Sequence, residues 1–197
     1  MRVVVVGATG TIGQAVADAL RGRHEVVAVT RKSTPGVDLG DPASIKALYR
    51  TVGAIDAVVS VAGAAAWKPF EQLNDADYAF SLSNKLMGQV NLIRYGLDAV
   101  RANGSFTVTS GVLAQRPVPG SAASSLVNAG LEGFVRAAAL EVGGGRRVNV
   151  VSPGWVSERL EKMGQDPKGG TPAHVVAEAY VASVEGSMNG AVIPAEG

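Results

Sequence analysis

The chain has 197 residues, of which 47% are apolar and 18% charged, so we expect one domain with a buried core rather than a disordered segment. Its net charge of +1, without a long basic run, gives no support for binding to nucleic acid or to an anionic membrane. The absence of cysteine excludes disulfides and thiolate chemistry, and two histidines are too few for a typical metal site.

The sequence carries no signal for a membrane or for export. No apolar run is long enough to span a bilayer, and no basic and apolar leader precedes the first apolar run at Arg2. We therefore expect a soluble, cytoplasmic protein.

The hydrophobic pattern predicts strands and helices that alternate along the chain. The predicted strands cover residues 2–6, 25–30, 55–60, 105–109, 147–151 and 191–194. The predicted helices cover residues 11–21, a short segment capped by Asp41 with Pro42 first, 75–100 (continuous or interrupted), 123–142, and a segment capped by Thr171 that runs from Pro172 to about Val184. Such alternation predicts a three-layer, doubly wound α/β fold with a parallel sheet of about seven strands. Ligands of this fold bind beyond the carboxyl ends of the strands.

A glycine-rich turn separates the first strand from the first helix. In VVVVGATGTIGQAV, Gly7, Gly10 and Gly13 allow positive φ and close approach of a pyrophosphate to the backbone. The helix N-terminus adds free N–H groups and a partial positive charge. A tight turn without a ligand is the alternative, but the position at the start of a βαβ chain favours a dinucleotide. We expect contacts from Gly7, Thr9, Gly10, Thr11 and Ile12.

The second strand ends in the basic turn VTRKS. An acidic residue here would accept a hydrogen bond from a ribose 2′-hydroxyl, whereas a basic residue would pair with a 2′-phosphate. No acid occurs between Glu25 and Asp38, and the Arg31 guanidinium can bind a phosphate through two hydrogen bonds. Arg31, Lys32 and Ser33 therefore favour NADP(H) over NAD(H), with a solvated basic turn as the alternative.

With these residues, the chain resembles the short-chain dehydrogenase/reductase family over nearly its whole length. GATGTIG resembles the glycine motif of that family, and Asp38–Leu39 resembles its acidic and aliphatic pair at the adenine. SVAG at residues 60–63 resembles the Asn-Asn-Ala-Gly motif without its asparagines. VTSG at residues 108–111 resembles the strand that carries the catalytic serine, here Ser110, and SPGWV at residues 152–156 resembles the Pro-Gly motif beside the nicotinamide.

The resemblance implies a single NAD(P)-binding Rossmann domain over residues 1–197, ending in a short strand with a trailing glycine. It also implies further cofactor contacts, namely Val61, Ala62, Gly63, Asn128, Pro153, Gly154 and Val156.

The chain departs from the family pattern in SAASSLVNAGLEGF, residues 121–134. Family members carry Tyr-x-x-x-Lys there, and this chain has Ser124 in place of the tyrosine and Asn128 in place of the lysine. In the family the lysine lowers the pKa of the tyrosine, which moves the proton. A serine hydroxyl is too weak an acid for that role, although the Asn128 amide can still bond a ribose hydroxyl. Simple packing or capping is the alternative for both residues.

Other residues remain candidates for the chemistry. Spacing to Gly88 places Lys85, rather than Asn84, where the family has a supporting asparagine, so Lys85 either supplies a proton or charge or lies at the surface. Ser110 either polarises a carbonyl or caps a strand end. Trp67 and Trp155 follow strand ends, where they form a substrate wall or belong to the core or an interface.

Two functions therefore stay open. The first is an NADP(H)-dependent oxidoreductase whose partner is a small-molecule substrate, an unidentified carbonyl or alcohol, with a weakened or non-standard proton relay. The second is a sensor or regulatory module that binds NADP(H) without turnover. From Leu126 to Leu140 the predicted helix is apolar outside a polar stripe, which predicts pairing across a two-fold axis, as in similar family members, and a homodimer or homotetramer.

Overall fold

A computed structural model describes residues 1–196, and the predicted trailing glycine, Gly197, lies outside the described residues. The six strands of the described chain are β1 (Arg2–Val6), β2 (Glu25–Val29), β3 (Ile55–Ser60), β4 (Val100–Thr109), β5 (Arg147–Pro153) and β6 (Val192–Ala195). They form one parallel sheet in the order β2-β1-β3-β4-β5-β6. Beyond β2 the chain adds only a parallel bridge between Thr30 and Gly36. The doubly wound fold is confirmed, with six strands where about seven are predicted.

Helices cover both faces of this sheet. They are α1 (Thr11–Arg21), α2 (Pro42–Val52), α3 (Asp75–Ser81), α4 (Gly88–Gly96), α5 (Ala122–Glu141), α6 (Ser157–Lys162) and α7 (Ala173–Glu185). In β1, Val4 and Val6 belong to the core that includes side chains of α2, α4 and α5, whereas Val3 and Val5 belong to the core with α1 and α7. Successive side chains of a strand point to opposite faces, so an uninterrupted valine run is buried only when helices cover both sides.

The topology brings distant loops to one edge of the sheet. The strand order reverses beside β1, since β2 lies on one side of it and β3 to β6 lie on the other. Gly7, Val61, Ser110 and Gly154 directly follow the carboxyl ends of β1, β3, β4 and β5. Because these strands are parallel, the four loops meet at the same edge, where ligands of such sheets bind.

The helix predicted over residues 75–100 is interrupted and ends earlier. A π-helical turn, Leu82–Met87, separates α3 from α4, and α4 ends at Gly96. The prediction was wrong for Val100, which begins β4 and pairs with Ile55 of β3. Its spacing from Leu97 fits a helix, but pairing with the neighbouring strand decides its conformation.

The two predicted helix starts have different outcomes. Asp41 caps α2 as predicted, because its Oδ1 accepts a hydrogen bond from the Ala43 N–H at 2.8 Å and Pro42 is the first helical residue. The predicted cap at Thr171 was wrong: α7 begins at Ala173 after Pro172, and the Glu158 carboxylate accepts from the Ala173 N–H. A parallel bridge to Val156 keeps Thr171 extended.

Several apolar side chains of α3, α5 and the π-helical turn are exposed. Leu126 and Leu140 of α5 are 48% and 88% exposed, and Phe80, Leu82 and Met87 are also exposed. Pairing of these helices across a two-fold axis stays a prediction. Within residues 1–196, no helix combines the length and the hydropathy that a membrane span needs.

Candidate active site

The glycine-rich turn is tightly built against its neighbours. Gly7 has φ of +88°, and its N–H donates to the Val29 carbonyl of β2 at 2.8 Å. A Cβ on Gly13 would lie 2.0 Å from the Gly7 carbonyl oxygen, so α1 approaches the turn more closely than any side chain allows. No side chain caps α1 and no acid lies in its first turn. Its free N–H groups are therefore available to an anion.

Alanine substitutions at Gly10 and Gly13 are expected to have different effects, although both glycines belong to one motif. We expect Gly10→Ala to fold normally, because its φ of −74° suits alanine and the nearest atom to a new Cβ lies 3.4 Å away. The added methyl would nevertheless stand where the backbone meets a pyrophosphate, so NADPH affinity should fall at least tenfold, about 1.4 kcal/mol, by calorimetry. Gly13→Ala is the contrasting variant, since its clash should lower the melting temperature as well. Unchanged NADPH affinity in Gly10→Ala would contradict this assignment.

The basic turn after β2 has two free cations. Arg31 and Lys32 are exposed, and their side chains make no hydrogen bond or salt bridge with residues 1–196. The Ser33 hydroxyl is already engaged, since it accepts from the Thr30 N–H at 2.8 Å and donates to the Pro35 carbonyl at 2.6 Å. Ser33 therefore shapes the turn, and Arg31 and Lys32 remain the groups available to a phosphate.

Asp38 and Leu39, the acidic and aliphatic pair, also make contacts within the protein. The Asp38 carboxylate accepts from the Gly40 N–H at 2.9 Å. Leu39 is 6% exposed and belongs to the core, where a Cβ on Gly88 would lie 2.7 Å from its own Cβ. Contact between Leu39 and an adenine would therefore involve little of its side chain.

A cavity of about 430 Å³ lies at the carboxyl edge of the sheet. Eleven of the predicted site residues line it, namely Ile12, Val61, Ala62, Gly63, Lys85, Ser110, Ser124, Asn128, Pro153, Gly154 and Val156. Other predicted residues do not, namely Gly7, Thr9, Gly10, Thr11, Arg31, Lys32, Ser33, Asp38 and Leu39. The predicted catalytic residues thus come together in one space, while the predicted phosphate and adenine contacts lie outside it.

Asn128 presents an unpaired acceptor at the cavity wall. The residue is 2% exposed, and its Nδ2 donates to the Gly111 carbonyl at 3.3 Å. Its buried Oδ1 finds no hydrogen-bond partner within residues 1–196. Leaving such an acceptor unsatisfied costs about 1–3 kcal/mol. A ribose hydroxyl would satisfy it, so the site fits a nicotinamide dinucleotide here. Ser124 is 9% exposed and lies on the same face of α5 one turn earlier. Both residues lie within the helix, whose N-cap residue is Ser121, so neither of them caps it.

Lys85 is not the surface lysine that one interpretation expected. It lies in the π-helical turn, is partly buried, and donates from Nζ to the Ser110 carbonyl at 3.3 Å. A Cβ on Gly63 would lie 3.1 Å from its Cα, so this turn rests directly on the loop after β3. Burial, and secondarily the charge of Arg159, lowers the pKa of Lys85 to about 8. π-helical turns occur frequently at functional sites.

Ser110 is bound to a carboxylate that sequence reasoning left without a role. Ser110 is 2% exposed, and its hydroxyl donates to Glu132 Oε1 at 3.0 Å. Gln115 Nε2 donates to the other oxygen of Glu132, which is 5% exposed. The Ser110 proton is therefore engaged, and toward the cavity its oxygen offers lone pairs. The four-residue spacing of Ser124, Asn128 and Glu132 puts these residues on one face of α5, but no pattern in the sequence identifies the partners of Glu132.

Two tryptophans and an arginine stand at the mouth of the cavity. The rings of Trp67 and Trp155 meet edge to face, with centroids 6.2 Å apart. They are 49% and 36% exposed, so they form part of the cavity wall instead of the core. Arg159 of α6 also lines the cavity, and the sequence gives no local sign of this.

No tyrosine replaces the missing phenol. None of the four tyrosines, all of which lie within residues 1–196, lines the cavity. Tyr180 is fully buried on α7, with its hydroxyl 2.8 Å from Thr109 Oγ1. Burial raises the pKa of Tyr180 well above its usual range, so this phenol is not available as an acid.

Solved structures of known proteins share this fold. The protein lin1944 from Listeria innocua is 36% identical, with a TM-score of 0.95 over 98% of each chain. A small-chain dehydrogenase solved in complex with NADPH is 26% identical, with a TM-score of 0.88 over 100% of this chain and 96% of its own. Human L-xylulose reductase is 30% identical over 183 residues, which cover 83% of this chain and 74% of the reductase.

Curated relatives and a family model also match this chain. Alignments with curated relatives cover between 43% and 74% of the lengths of those relatives. A family model described as enoyl-(acyl carrier protein) reductase matches residues 18–180, most of the chain. Together with the parallel sheet, the glycine turn and the serine strand, this match shows that the chain belongs to the short-chain dehydrogenase/reductase family.

Proposed function

We propose that the protein is an NADP(H)-dependent oxidoreductase that interconverts a small carbonyl compound and its alcohol, with Lys85 as the proton donor. The observation that carries the proposal is the Lys85 ammonium at the cavity wall, with its pKa lowered to about 8. A general acid is most effective when its pKa lies near the working pH. The NADPH-bound small-chain dehydrogenase supports the choice of a nicotinamide cofactor.

The proposed chemistry divides between the cofactor and the chain. NADP(H), when bound, would supply or accept the hydride. In the direction of reduction the carbonyl carbon gains that hydride, the C=O π bond breaks, and its oxygen takes a proton from Lys85 Nζ. The resulting neutral amine regains a proton from solvent at the open mouth of the cavity. In the direction of oxidation the neutral amine accepts the alcohol proton.

Other residues would bind and orient rather than transfer the proton. The unpaired Asn128 Oδ1 would accept from a ribose hydroxyl, and the free N–H groups of α1 would bind the pyrophosphate. The Ser110 oxygen, whose own proton is directed to Glu132, would accept a hydrogen bond from a donor in the cavity. Ser110 and Glu132 are therefore positioning residues in this proposal.

A binding module without turnover is the second candidate. It is favoured by one observation, namely that Ser124 and Asn128 put neither a phenol nor an ammonium on the α5 wall of the cavity. NADPH oxidation across a carbonyl panel, measured beside NADPH affinity, separates the two functions. Tight NADPH binding without oxidation of any member would favour the module.

Cofactor preference is expected to depend on Arg31. The exposed guanidinium has no partner within residues 1–196 and can bind the 2′-phosphate, so NADPH should bind at least tenfold more tightly than NADH, about 1.4 kcal/mol. Arg31→Ala should lose that preference through NADPH while NADH affinity stays the same. Calorimetric titration measures both, and Arg50→Ala, an exposed arginine on α2, is the matched control. Equal affinities in the unmodified protein would rule out selection by Arg31.

A further inference from the structure

Two cations share the cavity wall without an anion. Lys85 and Arg159 both line the cavity, and the charge of Arg159 contributes to lowering the pKa of Lys85. The Arg159 side chain makes no hydrogen bond or salt bridge within residues 1–196. No aspartate or glutamate is among the described residues that line the cavity, and both oxygens of the nearby Glu132 are bound by Ser110 and Gln115. The cavity therefore favours a ligand that brings its own negative charge.

The cofactor phosphates have a different partner on the same helix. Lys162, three residues after Arg159 on α6, places Nζ 3.3 Å from Thr11 Oγ1 at the start of α1. The helix thus presents Lys162 to the glycine turn and Arg159 to the cavity. A pyrophosphate at the turn would be neutralised by Lys162 and the α1 N–H groups, which leaves Arg159 unpaired.

We infer that the substrate is a small oxo acid whose carboxylate pairs with Arg159 while its carbonyl oxygen faces Lys85. A guanidinium binds a carboxylate through two parallel hydrogen bonds, which fixes orientation as well as affinity. The edge-to-face pair Trp67 and Trp155 would cover the carbon chain between the two polar ends. The inference rests on the proposed function, because it names the substrate class of the same site.

The test uses oxo acids with the carbonyl at different distances from the carboxylate, each beside its methyl ester. With NADPH, the unmodified protein should show a kcat/KM at least tenfold higher for one acid than for its ester. Arg159→Gln should remove that preference mainly by raising KM for the acid, so that the acid and its ester react at similar kcat/KM. Arg136→Gln, an exposed arginine on α5, is the matched control and should keep the preference.

A binding measurement separates this inference from the proposed function. Calorimetry with the corresponding hydroxy acid and NADP⁺ should show binding that Arg159→Gln weakens at least tenfold. If no carbonyl is reduced, the proposed function fails, and this titration alone decides whether an anion site exists. Equal reactivity of acid and ester, or a preference that survives Arg159→Gln, would overturn the inference and leave the function standing.

The cofactor phosphates provide the last comparison. NADPH affinity should fall in Lys162→Gln and stay within twofold in Arg159→Gln. An equal loss in both variants would assign Arg159 to the cofactor and overturn the inference.

Discussion

Lys85→Met is expected to lower NADPH-dependent carbonyl reduction by about 10²–10⁴-fold while NADPH affinity stays within a few-fold. Methionine has about the length of the apolar methylene chain of lysine but lacks the ammonium, the proposed proton donor at the cavity wall. Steady-state NADPH oxidation and calorimetric NADPH titration measure the two quantities. Lys46→Met, an exposed lysine on α2, is the matched control.

The pH profile distinguishes proton donation from a structural role. The protonated amine is the acid, so reduction should be fastest below pH 8 and decline as pH rises through the lowered pKa of about 8. Alcohol oxidation needs the neutral amine and should rise through the same pH. Lys85→Met should flatten both profiles near pH 8. Profiles that keep their shape in Lys85→Met would show that another group moves the proton.

As pH rises, the free energy of unfolding should increase while the rate of carbonyl reduction falls. The pKa of Lys85 is about 8 in the folded protein and 10.5 in the unfolded chain, so the unfolded state holds more protons between these values. The free energy of unfolding should therefore rise with pH across this window, and the penalty of the ammonium is present in full below it. Lys85→Met removes a penalty on the order of 1–3 kcal/mol at pH 7, allowing for partial exposure, and should melt higher than the unmodified protein.

Ser124→Tyr with Asn128→Lys, introduced into Lys85→Met, is expected to recover turnover by at least tenfold and up to about 10²–10⁴-fold. Both positions line the cavity four residues apart on α5, so the new phenol and ammonium enter the same space. An ammonium beside the phenol lowers its pKa and makes it a better acid. Removing Lys85 avoids placing another ammonium in a cavity that already holds Arg159. When Lys85 is present, the gain in turnover should be smaller, because Lys85 already donates the proton.

The control for this rescue differs by one oxygen atom. Ser124→Phe with Asn128→Lys, in the same Lys85→Met background, supplies the bulk without the phenol and should recover no turnover. Comparable turnover from the tyrosine and phenylalanine variants would show that the phenol is not the acid. Failure of both variants, with NADPH binding intact, would mean that the cavity no longer positions a carbonyl and would favour the binding module.

The sheet could be predicted well because local pattern and tertiary role agree there. Arg2–Val6 and Ile55–Ser60 are buried runs whose bounds match the prediction. Val100 was misplaced because its spacing suits a helix as well as a strand, and only its pairing with Ile55 decides between them. The start of α7 was misplaced for a similar reason, since the carboxylate that accepts from its first N–H belongs to Glu158, from another helix.

The cavity could be predicted only in part. Residues in family motifs, such as Gly63, Ser110 and Gly154, lie at strand ends whose position follows from the topology. Arg159 enters the wall because α6 folds over the sheet edge, and Gln115 becomes relevant only through its bond to Glu132. Such convergence depends on contacts between elements distant in sequence, which neither periodicity nor spacing records.

The π-helical turn makes the position of Lys85 depend on chain length as well as on residue identity. An α-helix advances by about 100° per residue, so one additional residue in a turn puts the helices on either side out of phase by about that angle. Val90 and Ile93 of α4 are buried, while Phe80 of α3 and Leu82 at the turn are exposed. Deletion of one residue from Leu82–Met87 would bring the two helices back into phase and would rotate the Lys85 ammonium away from the cavity. We therefore expect this turn to tolerate substitutions far better than deletions, which would remove the proton donor while every other side chain of the cavity kept its identity.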